Sequence, residues 1–159
     1  MGERELRDFL TRQLAAGETL DACAYGVERK SRAERLGGLL GASLGGWIGG
    51  ALVIDDGWGL ATTSSRLLSV RVRRVARVLG PPKLRFGTVH AHADAHALDA
   101  VVRHHEGRMV LELVLEEQQR SLWFGPVTGF SDNVQRARAI AEWLEVRSRG
   151  GSSAEPGRY

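Results

Sequence analysis

Four polar residues at alternating positions form the densest group of potential metal ligands in the chain: His90, His92, Asp94 and His96. Side chains two residues apart on a β-strand lie on one face, and zinc accepts imidazole together with carboxylate. Neighbours on that face are about 6.6–7 Å apart, whereas the ligand atoms of tetrahedral zinc are closer than about 4 Å. The pattern therefore predicts a polar strand face without a metal. The alternatives are a zinc or nickel site, a metal-dependent enzyme that uses it, and a pH-sensitive surface.

A stretch without acidic residues, from Gly57 to Ala93, has the strongest local charge. Its seven basic residues are Arg66, Arg71, Arg73, Arg74, Arg77, Lys83 and Arg85. Such a surface attracts anionic lipid, phosphate or nucleic acid. Proteins that bind nucleic acid usually add aromatic side chains for stacking, and only Phe86 is nearby, so we do not expect nucleic acid. We select Arg71 and Arg73 as anion-binding candidates. The alternative is a solvated strand face whose arginines pair with Glu112, Glu116 and Glu117.

A glycine-rich segment interrupts the first half of the chain. Nine of the 20 glycines lie between Gly37 and Gly59, and residues 36–54 contain no charge. Glycine recurs every four positions at 37, 41, 45 and 49, which on a helix forms a smooth face suited to close packing. We predict a helical insertion over residues 30–57 that ends in a turn at residues 55–57. Its apolar contact residues are Leu39, Leu40, Leu44, Trp47 and Ile48.

Basic residues stand at the base of this insertion, and they are further anion-binding candidates: Arg29, Lys30, Arg32 and Arg35. An apolar tip with a basic collar is what a peripheral membrane contact requires. Three roles remain open for the segment: a helical hairpin packed on the fold, a loop that leans on or enters a membrane, or an element that packs against its copy in a homo-oligomer. The collar has its own alternative, a solvated turn paired internally with Glu28 and Glu34.

The elements around the insertion indicate the fold class. Helical spacing predicts helices over residues 3–16 and 133–147, the second with possible caps at 131–133. Alternation and turn residues predict strands over 18–28, 58–63, 67–79, 86–95, 97–105, 108–116 and 120–126. We expect a bulge near Arg73 and Arg74, and a disordered tail at 148–159. The order predicts one α+β domain, a bent antiparallel sheet or small barrel of about seven strands capped by the C-terminal helix.

Three segments of this layout resemble the bacterial pleckstrin-homology-like domains. Residues 14–26, LAAGETLDACAYG, are similar to the opening of that family, and residues 58–72, WGLATTSSRLLSVRV, to its strand–turn–strand. The aspartate that the family has before this turn is replaced by Ser64 and Ser65. Residues 137–144, AxxIAEWL in pattern, are similar to the helix that closes one end of the family's barrel.

This resemblance implies a non-enzymatic scaffold that binds lipid headgroups, peptides or proteins, and it places the insertion in the loop between the first two strands. In pleckstrin-homology domains that loop often carries the basic residues that bind headgroups. We therefore predict a module that binds a membrane surface or a partner protein, without a cofactor. The single cysteine, Cys23, excludes an internal disulfide and fits a reducing cytosol, so we expect a cytoplasmic protein that associates with membranes.

Overall fold

The fold is that of a computed structural model, which describes residues 2–29, 53–77 and 79–150. Helix α1 spans Gly2–Thr11, and helix α2 spans Asn133–Gly150. The seven strands are β1 Ala22–Glu28, β2 Val53–Thr62, β3 Leu67–Val75, β4 Lys83–His92, β5 Val101–His105, β6 Arg108–Leu115 and β7 Gln118–Phe124. A short 3-10 helix at His96–Leu98 precedes β5. The predicted helix of the glycine-rich segment lies outside the described residues, apart from its last two positions.

The seven strands form one antiparallel sheet in the order β4-β3-β2-β1-β7-β6-β5. Strand β1 joins the two halves, because it pairs with β2 over six residues but with β7 only at Val27 and Glu28. A contact between His90 of β4 and Glu116 of the β6–β7 turn, at 3.3 Å, shows that the halves bend toward each other. The α+β prediction, with about seven strands and helices at both ends of the chain, is confirmed.

Alternation along the strands divides the core into two layers. The concave layer holds Trp58, Leu60, Leu111 and Phe124, and it packs against the apolar face of α2 that contains Ile140 and Leu144. The convex layer of β1–β4 holds Tyr25, Val70 and Val72 and is covered by Leu6 and Leu10 of α1. Helix α1 therefore covers one half of the sheet from outside, while α2 fills the bend from inside.

Asn133 joins α2 to the centre of the sheet. The Tyr25 N–H donates to the Asn133 side-chain oxygen at 2.9 Å, and the Asn133 amide donates to the carbonyls of Tyr25 at 2.8 Å and Gly125 at 3.2 Å. These bonds occupy the backbone edge of β1 at a position where β7 has already separated from it. The predicted capping role is wrong for Asn133, because its side chain bonds to β1 and to the chain after β7.

Several predicted boundaries are corrected. The predicted turn at residues 55–57 is part of β2, so the predicted insertion is too long at its C-terminal end. The extra residues that disturb the pairing lie in β2 and β4, not in β3 near Arg73 and Arg74. The region 97–105 begins as a 3-10 helix, and β7 starts two residues earlier than predicted. The tail prediction fails for its first three residues, which continue α2 to Gly150.

Two of the clustered glycines have a packing role within β2. A Cβ at Gly57 would lie 2.4 Å from the Gly26 carbonyl oxygen, and one at Gly59 would lie 2.6 Å from Leu6. Real Cβ atoms do not come this close to a backbone oxygen, so Gly57 is required for the tight pairing with β1. Gly59 allows α1 to lie close to the sheet.

The two strands of the family-like segment 58–72 are connected by a hairpin turn that is tied to the chain before β1. Glu18 accepts hydrogen bonds from Arg66 at 2.8 and 3.0 Å and from the Thr63 hydroxyl at 2.7 Å. These bonds from Arg66, then Thr63, lower the pKa of Glu18 to about 2. The ionised carboxylate thus holds together two of the three segments on which the family resemblance is based.

Replacing Asn133 with Ala should lower the free energy of unfolding by about 3 kcal/mol, because it leaves the buried N–H and carbonyl of Tyr25 without partners. Urea unfolding followed by circular dichroism measures this difference. Gln135→Ala, an exposed change on the same helix, is the control and should stay within about 0.5 kcal/mol of the wild type. A similarly small effect of Asn133→Ala would contradict the role given to this side chain.

Glu18→Gln should destabilise the protein at neutral pH, and the difference from wild type should shrink as the pH falls from about 4.5 toward about 2. The sign follows from linkage: a carboxylate with a lowered pKa stabilises the folded state above its unfolded pKa and loses that contribution as it is protonated. Thermal melts across this range give the measurement. Glu142→Gln, on the exposed side of α2, should show no such convergence.

Candidate functional site: the open end of the sheet

Three connections meet at one end of the sheet, which we call the open end. Because neighbouring strands are antiparallel, the end of β1, the start of β2, and the β3–β4 connection lie on the same side. Glu28, the last residue of β1, pairs with Leu122 near the start of β7, so the turn at Glu116 and Glu117 lies there too. The glycine-rich segment also leaves and rejoins the sheet at this end. The hairpin held by Glu18 lies at the opposite end.

Aspartates of β2 neutralise part of the arginine stretch. Asp56 accepts a two-point contact from Arg71, at 2.8 and 3.2 Å, and lies 3.7 Å from Arg73. On the convex face, Asp55 contacts Arg74 at 2.8 Å and accepts a 2.6 Å hydrogen bond from the Tyr25 hydroxyl. Burial, followed by this bond, raises the pKa of Tyr25.

The alternative, in which these arginines pair with Glu112, Glu116 and Glu117, is wrong about the acidic partners. Glu112 pairs with Arg103, and Glu116 pairs with His90 and Arg120; Glu117 has no ion pair among the described residues. The residues that neutralise the stretch precede it directly in the chain, where the pattern suggests a turn. The pairing of β2 with β3 places Asp56 opposite Arg73. The charge balance along the sequence does not reveal this cross-strand neighbour.

A second group of charges connects the two halves of the sheet. Glu28 accepts hydrogen bonds from Arg120 at 2.7 Å and from the Trp58 indole at 3.2 Å. Glu116, in the turn after β6, lies 4.0 Å from Arg120 and 3.3 Å from His90 of the outer strand β4. Because β4 is not a neighbour of β6 or β7 in the sheet, the contact between His90 and Glu116 forms across the concave face. Among the described residues, Glu28 forms its ion pair with Arg120.

Three exposed basic residues lie at the β3–β4 connection of the open end. Arg77, Lys83 and Arg85 are exposed and have no ion pair within the described residues. Arg85 lies directly opposite Arg73, whose side chain is 55% exposed. Like charges on facing positions repel, and of the two arginines Arg73 alone has a contact with Asp56 among the described residues, at 3.7 Å. The surface around the β3–β4 connection is therefore cationic.

The candidate Arg29 lies at the rim of the same end. Its guanidinium stands 4.5 Å above the ring of Trp123, and its backbone N–H donates to the Ser121 carbonyl. The other predicted site residues of the insertion are outside the described residues: Lys30, Arg32, Arg35, Leu39, Leu40, Leu44, Trp47 and Ile48. Of the predicted anion-binding set, the structure thus places Arg29, Arg71 and Arg73 at one end of the sheet.

The histidine motif does not form one strand face. Strand β4 ends at His92, so Asp94 lies in the following turn, where it accepts a hydrogen bond from the His96 N–H. His92 contacts the Ser69 hydroxyl at 2.9 Å, while His90 faces Glu116. The predicted common face of four side chains is therefore wrong. In the described part of the chain, no three or more His, Cys, Asp or Glu side chains form a group that could hold a metal ion.

Leu79 belongs to the open end, although the sequence pattern places it among the apolar residues of a strand. Leu79 aligns with the hydrophobic positions of β3, yet β3 ends at Val75 and the Leu79 side chain is 87% exposed. In the sequence, the Gly80-Pro81-Pro82 turn directly after Leu79 is the feature that indicates its position in the loop.

Among the described helices, none has the length and apolarity needed to cross a membrane.

Comparison with known proteins leaves the family open. No protein-family model matches the chain, and no curated protein matches it. The chain is similar to a solved structure, the hSac2 domain from human phosphoinositide phosphatase Sac2, with 10% sequence identity and a TM-score of 0.44 over 98% of this chain and 92% of that chain. A similarity of this strength does not identify a ligand, so the function has to be argued from the open end itself.

The pH response of His92 follows from its position. Burial, followed by the neighbouring His90, lowers its pKa, so the folded state takes up its proton less readily than the unfolded chain. Stability should therefore fall as the pH drops from 7 to 5. His92→Gln keeps a partner for Ser69 and should lose less stability over that range, measured by urea unfolding at both pH values. His104→Gln, which changes an exposed histidine, should follow the wild-type curve.

Proposed function

We propose that this chain is a pleckstrin-homology-like binding module, without catalytic activity, whose open end binds the anionic headgroups of a lipid surface. The observation that carries the proposal is the group of exposed cations around the β3–β4 connection, Arg77, Lys83 and Arg85, that lack acidic partners in the described residues. Among those residues, no three or more His, Cys, Asp or Glu side chains form a group that could hold a metal ion.

The charge balance of the open end supports this function. Its described basic residues are Arg29, Arg71, Arg73, Arg74, Arg77, Lys83, Arg85 and Arg120. Its described acidic residues are Glu28, Asp55, Asp56, Glu116 and Glu117. Eight positive charges against five negative ones leave an excess of three, and the basic residues without an ion pair among the described residues are exposed. The free charge is thus on the surface, where it can meet an anion.

The internal ion pairs have a supporting role in this proposal. Asp56 holds Arg71 in a two-point contact and leaves the more exposed Arg73 only loosely bound at 3.7 Å. Arginine can bond to phosphate oxygens with two N–H groups at once. Arg73 can therefore turn from Asp56 toward a phosphate, joining Arg85 on the facing strand. Arg71 and Asp56 then act as the rigid base of the cationic surface.

Changing Arg77, Lys83 and Arg85 together to Gln should weaken binding to vesicles of phosphatidylserine and phosphatidylcholine by on the order of a hundredfold. Each basic residue near an anionic surface contributes about 1 kcal/mol at low ionic strength. Co-sedimentation with vesicles at low and high salt measures the effect, and wild-type binding should fall as salt rises.

The matched control removes the same charge elsewhere. Arg12, Arg108 and Arg138 are exposed residues outside the open end, and none has an ion pair among the described residues. Their joint change to Gln should reduce binding only slightly, through the lower net charge. Equal losses in the two triple variants would show that net charge alone drives association. Absence of wild-type binding to anionic vesicles would reject the proposed function.

A further inference from the structure

Leu79 is an apolar side chain placed where a folded protein normally puts a polar one. Large hydrophobic residues of the described chain are strongly exposed at only three positions, and Leu79 is the most exposed, at 87%, compared with 71% for Val146 and 43% for Val101. Single exposed apolar residues are common and need no explanation by themselves. Leu79 differs from the other two in its surroundings.

The local backbone keeps this side chain away from the sheet. Gly80 has a φ of 94°, a conformation that favours glycine, and two prolines follow it directly before β4. Proline fixes φ near −65° and stiffens the connection. The chain therefore turns just after Leu79. A Cβ added at Gly80 would have no other atom within 4 Å, so the loop is surrounded by open space at this position. Leu79 projects from a stiff tip and does not fold back onto the core.

The loop that carries Leu79 is flanked by Arg77, Lys83 and Arg85, which have no ion pair among the described residues. Arg77 lies two residues before Leu79, while Lys83 and Arg85 begin the strand that follows. Pairing of Val75 with Lys83 and of Arg73 with Arg85 places these charges at the base of the loop on both sides. An apolar tip with cations at the base of its loop matches the layered chemistry of an anionic bilayer, with charged headgroups outside and hydrocarbon beneath.

We infer that Leu79 inserts into the bilayer while Arg77, Lys83 and Arg85 contact the headgroups, so that the partner is a membrane and not a soluble polyanion. This inference rests on the proposed function and adds to it a residue and a source for the anion. It requires no participation of the glycine-rich segment. The charges would attract both a polyanion and a membrane, but only a membrane provides an apolar phase for Leu79.

The experiment compares two probes with one set of variants. Leu79→Ser should weaken binding to phosphatidylserine-containing vesicles by on the order of tenfold to a hundredfold, because a leucine side chain that is buried in the bilayer on binding leaves water. The same variant should bind heparin, a soluble polyanion, as wild type does. Val146→Ser removes the second exposed apolar side chain, on α2, and should bind both probes as wild type does. Because both residues are exposed, neither change should lower the melting temperature appreciably.

Insertion itself can be read from fluorescence. Tryptophan placed by Leu79→Trp should show a blue shift on vesicle binding and quenching by brominated lipids, beyond the response of the four native tryptophans. Val146→Trp should show neither change. These signals report depth in the bilayer and do not depend on the size of the affinity loss.

The outcomes separate the two proposals. If the triple cation variant loses vesicle binding but Leu79→Ser does not, the insertion is rejected and the proposed function stands. If Leu79→Ser weakens heparin and vesicle binding equally, Leu79 acts through the shape of the loop and the inference also fails. If the wild-type protein binds heparin but no vesicles, both the lipid function and the insertion are rejected.

Discussion

At the centre of the sheet, the Asn133 side chain makes the hydrogen bonds to β1 that a neighbouring strand would otherwise make. Much of the fold depends on these bonds. Strand β1 belongs to both halves, yet β7 pairs with it only at Val27 and Glu28. Two residues before Val27, the buried N–H and carbonyl of Tyr25 would have no hydrogen-bond partner without Asn133. Each unpaired group would cost about 1–3 kcal/mol. The Asn133 amide satisfies both groups and at the same time starts α2 against the concave face. The sheet can therefore bend away from β1 without exposing it.

The bend explains why the two ends of the sheet differ. Helix α2 fills the concave face with Ile140 and Leu144, and the opposite end has no helix among the described elements to cover it. Charged residues take its place, and they cross the bend through Glu116, which reaches both His90 and Arg120. These contacts link the two halves across the bend. The cations Arg77, Lys83 and Arg85, which have no ion pair among the described residues, lie outside these contacts, at the β3–β4 connection.

Local patterns predicted much of the fold and less of the candidate site. Alternation located most strands, and helical spacing located both helices, because these periods reflect which side chains are buried. The turn assigned to residues 55–57 failed because Asp-Asp-Gly is typical of turns, while pairing of β2 with β1 and β3 overrides that preference. The histidine motif failed for the opposite reason. Its alternation continues past His92, where the backbone has already left the sheet.

The sequence by itself determined the α+β class, the position of the glycine-rich segment between the first two strands and the basic character of the region from Gly57 to Ala93. Tertiary structure alone decided which of those charges have an acidic neighbour among the described residues. Asp55 and Asp56 neutralise arginines some fifteen or more residues away because antiparallel pairing makes them neighbours in space. It also decided that Leu79 is exposed, since burial depends on where β3 ends. Charge balance and exposure are properties of neighbours in space, and the order of residues along the chain does not contain them directly.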